Sequence, residues 1–139
     1  MFRKIAIATL TLGLFAGISL ADDESPLEKL MEKIQNKTNA MRKVTRNAAE
    51  YKKGAESIAN DTKDVIKWAK ESRDFKEPAE KEKKPQAEWE KLTDEMIKAT
   101  EELAKICADS KSTPAQAKEA FTTYTKTCSA CHNVFKKED

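Results

Sequence analysis

The densest chemistry in this chain lies in five residues near one end, Cys128-Ser129-Ala130-Cys131-His132. Two thiols three positions apart, with an imidazole directly after the second, are the groups that haem attachment requires: each thiol adds across a porphyrin vinyl group to give a thioether, and the imidazole reaches the iron. On a helix, at 100° per residue, Cys131 falls 60° to one side of Cys128 and His132 falls 40° to the other. All three then project within an arc of about 100°, so one short segment can hold a porphyrin edge and its metal.

Other uses of the same residues fit less well. A disulfide-exchange CxxC sits at a helix N-terminus in a βαβ context, where the dipole lowers the thiol pKa; here the motif falls late in a helical pattern. A zinc site from Cys107, Cys128, Cys131 and His132 has the right ligand types, but it needs Cys107 from another helix end and asks adjacent Cys131 and His132 to serve together. A structural disulfide across a single turn constrains little. The cysteine count is odd, so at least one thiol has no partner within the chain. Cys107 reads as a small buried hydrophobe, with a homodimer disulfide as its other use.

His132 is the only histidine, which excludes two imidazoles on one iron within one chain. A sixth ligand is then Met, Lys, water or nothing. Four methionines are present, and Met1 belongs to the expected leader. In an up-down-up-down bundle the last helix ends where the first begins. His132 near the end of the last helix and Met31 near the start of the first therefore share a height. Met41 is ten residues further on, ~15 Å higher, and Met96 also falls well above. Met31 is the expected second iron ligand, with plain core packing as its alternative use. The same reasoning makes Trp68, Trp89, Leu27, Ile34, Phe75, Tyr124 and Phe135 candidates for the pocket wall.

The elements that must position these groups read as helices throughout. No alternating strand pattern or Asn-Gly hairpin signal occurs. Ser25-Pro26-Leu27-Glu28 is a capping box with proline at the first helical position, and an apolar stripe follows from Leu27 to Tyr51, with Gly54 as its expected end. Residues 55–72 carry a second stripe. Residues 73–84, rich in charge and containing Pro78, read as a solvated loop with a short turn of helix. A third helix is expected from about Pro85 to Asp109, and a fourth opens at Thr113-Pro114-Ala115-Gln116, a second capping box. The expected fold class is all-α, an antiparallel up-down-up-down four-helix bundle with covalently bound haem.

The first 21 residues stand apart. Arg3 and Lys4 precede an uncharged apolar run over 5–18, and Ser19-Leu20-Ala21 places small residues at the −3 and −1 positions of a cleavage site. This is the layout of a secretory signal peptide at 1–21, followed by a cytochrome-like domain at 22–139. The apolar run is shorter than the ~20 residues of a spanning helix, so no stable membrane insertion is expected after cleavage. Removing the leader takes away two basic residues and no acids, which leaves 24 of each. A near-neutral chain with no clustered basic face gives no reason to expect nucleic acid as a partner, and no acid–base pair points to an enzyme.

The segment Cys128-Ser129-Ala130-Cys131-His132-Asn133-Val134-Phe135-Lys136 resembles the C-terminal part of the class II cytochromes c, the group of cytochrome c′ and its low-spin, methionine-ligated relatives. Members carry CxxCH near the C-terminus with an aromatic three residues after the histidine, often followed by arginine; Phe135 matches, and Lys136 stands in the arginine position. Leu30-Met31-Glu32-Lys33 resembles the first-helix segment that supplies the axial methionine in the low-spin branch. The resemblance implies a periplasmic electron carrier with one haem c, His132 and Met31 on the iron, and redox proteins as partners. The alternative it implies is a five-coordinate protein that binds NO or CO, with Met31 only crowding the site. The protein recovered after export should begin at Asp22, read by intact mass; retention of residues 1–21 would overturn the assigned leader.

Overall fold

A computed structural model describes residues 24–136; the expected leader and its cleavage point after Ala21 lie outside the described residues. The described chain is all-helical, with no strand: α1 Pro26–Thr45, α2 Ala48–Arg73, α3 Glu77–Glu82, α4 Gln86–Ala108 and α5 Pro114–Phe135. None of these helices is long and apolar enough to cross a membrane.

Both sequence-read capping boxes form. Ser25 N donates to Glu28 Oε2 at 2.7 Å while Glu28 N donates back to Ser25 Oγ at 3.2 Å. Thr113 and Gln116 make the same exchange at the start of α5, at 2.8 and 3.3 Å. Each box satisfies two backbone donors that the first turn leaves open, so these helices start at fixed residues.

Contacts between helices set their directions. Lys37 reaches Asp61 and Val44 faces Gly54, so α1 and α2 run antiparallel. The Trp89 indole N–H donates to the Ser72 carbonyl at 3.0 Å, and Arg73 pairs with Asp94 at 2.8 Å. Tyr51 lies beside Cys107 at the opposite end, making α2 and α4 antiparallel. Trp89 meets Phe135 edge-on at 5.3 Å, and Ile106 and Gln116 share a second hollow, so α4 and α5 are antiparallel too. A buried 2.6 Å hydrogen bond between Thr38 and Tyr124 joins α1 to α5.

The core is filled by Met41, Ile58, Val65, Leu103 and Tyr124, all fully buried. Buried threonines accompany them, and each satisfies its hydroxyl on its own helix. Thr38, Thr45, Thr93 and Thr100 each donate to the carbonyl four residues earlier, which lets a polar side chain sit inside without a stranded donor.

Two sequence expectations need correction. The first helix does not run to Gly54 but ends at Thr45. Asn47 adopts extended backbone and accepts Glu50 N at 2.9 Å, which caps a new helix. Gly54 lies inside α2 with no positive φ. Its role is close approach: a Cβ there would stand 2.8 Å from Val44 Cγ1 and 3.0 Å from Cγ2. Residues 73–84 are more than solvated loop, because α3 buries Pro78 and Ala79. Lys83, left-handed at φ 52°, ends that turn, and Lys84 N closes on the Ala79 carbonyl at 2.9 Å.

The Gly54 contact makes a testable sign. Alanine is favoured over glycine in a helix by about 0.5–1 kcal/mol, but overpacking a stiff branched neighbour costs about 1–3 kcal/mol. Gly54→Ala should therefore leave the protein no more stable, or less so, in urea unfolding. In a Val44→Ala background the same change should add roughly 0.5–1 kcal/mol. Equal gains in both backgrounds would mean that α1 and α2 do not touch there.

Candidate functional site

A cavity of about 840 Å³ opens at the end of the helix cluster where α1 starts and α5 finishes. Cys128, Cys131, His132 and Phe135 line it from α5, at spacings of three, four and seven residues, which is one face of a helix. Leu27, Met31, Ile34 and Thr38 line it from α1; Trp89, Leu92, Thr93 and Met96 line it from α4. Ser72 and the α3 residues Glu77, Pro78 and Lys81 complete the wall. The four residues singled out for a cofactor, Cys128, Cys131, His132 and Met31, thus border one space.

Their heights follow from observed contacts. Thr38 on α1 is bonded to Tyr124 on α5. Met31 is seven residues before Thr38, and Cys131 is seven residues after Tyr124. In antiparallel helices both steps run the same way, about 10 Å toward the open end, so Met31 is level with Cys131 and His132. Met41 lies on the other side of Thr38, fully buried in the core and outside the cavity wall. Met96 corrects the expectation that it stands well above the site. Counting from the Trp89–Phe135 contact, Met96 is level with Cys128, about one turn deeper than His132, and it borders the cavity. Position along α4 alone does not give this level; the packing of α4 against α5 does.

Of the expected wall residues, Leu27, Ile34, Trp89 and Phe135 border the cavity, whereas Trp68, Phe75 and Tyr124 do not. Trp68 is half-buried on α2, with Lys33 Nζ 5.8 Å from its ring centre. Phe75 lies in the link before α3, where its carbonyl accepts from Gln86. Tyr124 is fully buried one turn above Cys128. Leu92, Thr38, Thr93 and the α3 residues also border the cavity, and no sequence signal marks them, since their inward direction depends on how α1, α3 and α4 meet.

The thiols are free and half-buried. Burial raises the pKa of Cys128, and it raises that of Cys131 to about 11, with the Cys128 charge adding to the second. The pair lies in the last two turns of α5, away from the helix N-terminus that would stabilise a thiolate. Both facts count against a disulfide-exchange site. Cys107 is buried beside Tyr51, near the level of Ala117 and so about 16 Å along the axis from Cys128. Among the described residues, no group of three or more His, Cys, Asp or Glu is arranged to hold a metal ion, and the four-ligand zinc alternative loses its fourth member. His132 is solvent-exposed at one side, yet partial burial, and then Lys136, lower its pKa. A neutral imidazole is the form that ligates a metal.

The Thr38–Tyr124 bond has a defined polarity. Thr38 donates its single proton to the Ile34 carbonyl at 2.8 Å, so the Tyr124 hydroxyl donates to Thr38 Oγ1. Tyr124→Phe should then cost about 1 kcal/mol. Thr38→Val should cost more, about 1–3 kcal/mol, because it leaves the buried phenol only the weak sulfur of Cys128. The double variant should cost less than the sum in denaturant unfolding; strict additivity would show that α1 is not pinned to α5 there.

Comparison of the chain with family models, curated proteins and solved structures finds no match.

Proposed function

We propose that the protein is an exported c-type monohaem cytochrome, an electron carrier on an up-down-up-down four-helix bundle of the class II kind. One observation carries the reading: a CxxCH helix face and a methionine thioether at the same height border one cavity. Its volume, about 840 Å³, falls within the roughly 300–1,000 Å³ of small-molecule and cofactor pockets. Its wall combines apolar side chains with free thiols and a neutral imidazole, the donor set that a covalently held haem needs.

In this reading Cys128 and Cys131 would hold the haem by thioethers, and half-buried thiols with raised pKa values suit a permanent bond better than exchange. His132 and Met31 would supply the nitrogen and sulfur donors that hold the iron. Bound haem provides a one-electron couple, and His/Met ligation raises its potential. Trp89, Leu92 and Phe135 exclude water from the ring and lower the dielectric around it. Redox proteins are the partners that an electron carrier of this kind requires.

Intact mass after acid–acetone extraction tests the attachment. The expected species is the mature polypeptide plus one haem; a bare polypeptide would sink the assignment. Cys128→Ala with Cys131→Ala should lose haem and much helical stability by circular dichroism. Met31→Ala should abolish the far-red sulfur-to-iron band of the ferric protein, make the iron high-spin and admit CO. Met41→Ala should leave that band in place. Wild type that lacks the band and binds CO quickly would replace electron transfer with the gas-binding alternative.

A further inference from the structure

Charge is unevenly placed around the cavity. Glu24, Glu28 and Glu32 border it from α1 and its lead-in. The cations on its border are Lys81 on α3 and Lys136 at the end of α5. Lys81 is exposed and, among the described residues, forms no ion pair with a carboxylate.

The fold places Lys81 deliberately. α3 has six residues, too few to be stable alone, and it is held by burying Pro78 and Ala79. Pro78 and Lys81 are three apart and Glu77 and Lys81 four apart, so they share the face that borders the cavity. Seating Pro78 therefore fixes the root of Lys81 at the rim. Glu77 is the acid on this side.

Resting on the haem reading above, we propose that Lys81 is a positioning residue: it is the counter-charge for a propionate carboxylate of the bound haem, and so raises its reduction potential. Thioethers at Cys128 and Cys131 would tether the ring to α5 through the carbons of its former vinyl groups. The two carboxylates leave from the ring edge away from those groups. Lys136 directly follows α5, the helix that carries both cysteines, whereas Lys81 is the bordering cation carried by a different element. The acids of α1 repel carboxylates from their own side. A positive charge near the ring favours the ferrous state, which carries one positive charge fewer on the iron.

Spectroelectrochemical titration of the full exported holoprotein tests this, with Lys81→Gln, Lys81→Arg and Glu77→Gln beside wild type. At the wild-type midpoint, Lys81→Gln should raise the ferric-to-ferrous ratio about two- to fivefold, the scale of an exposed ion pair. Lys81→Arg should stay near wild type, and Glu77→Gln should shift the other way. Both shifts should shrink at about 1 M salt, where the screening length is near 3 Å. No shift in Lys81→Gln, an arginine variant that behaves like the glutamine one, or shifts indifferent to salt would each overturn the assignment. Should Lys81→Gln fail to load haem, Glu77→Gln decides alone, and an unchanged potential overturns it. Wild-type protein without covalent haem, read by mass before any titration, overturns the proposed function and this inference together; a holoprotein insensitive at Lys81 overturns only the latter.

Discussion

The register between α1 and α5 is the constraint on which the site depends, and one buried hydrogen bond sets it. Tyr124 gives its proton to Thr38, which has already given its own to the Ile34 carbonyl. In a dry interior each polar group in that chain would be costly if left alone. The two helices therefore cannot slide by one turn without stranding a phenol. Everything toward the open end inherits that lock, because Met31 and Cys131 are equal steps beyond it.

The second lock is at the α4 side. Trp89 uses its indole N–H on the Ser72 carbonyl and packs its ring edge-to-face with Phe135. One side chain thus ties the end of α2, the start of α4 and the end of α5. Between these two locks the helices stand apart, and the short α3 closes one edge of the gap. Protein interiors tolerate few voids larger than a water molecule. The space is stable because it is confined to one end, while Met41, Ile58, Val65 and Leu103 pack the rest.

Much of this was legible from local signals. Capping boxes at Ser25 and Thr113 depend on residues three apart and can be read directly, as can the common face of Cys128, Cys131 and His132. The height of Met31 was also legible, because it lies close to a helix start and His132 close to a helix end, so little error accumulates. Features set by packing were not. Asn47 and Gly54 are both credible breakers; the choice between them turned on whether Asn47 could cap Glu50 and on Val44 filling the place of a Cβ at Gly54. The levels of Met96 and of the α3 residues depend on the offset between helices and on a burial of Pro78 that no periodic stripe announces.

The state of the two thiols connects this geometry to chemistry. Cys128 and Cys131 lie where α5 presents carbonyl ends rather than amide ones, beside apolar walls, and both effects disfavour a thiolate. Thiols that react by exchange are found in the opposite setting, with a lowered pKa and open access. A pair that is neutral, unpaired with each other and turned toward a cavity has little use as a redox couple of its own. The proposed haem attachment instead calls for two thiols one helical turn apart with an imidazole directly after the second, which is the arrangement of Cys128, Cys131 and His132. The first helix and its lead-in border the cavity mouth with acids alone, Glu24, Glu28 and Glu32, whereas α3 brings Lys81 beside Glu77, so the two sides of the mouth differ in charge.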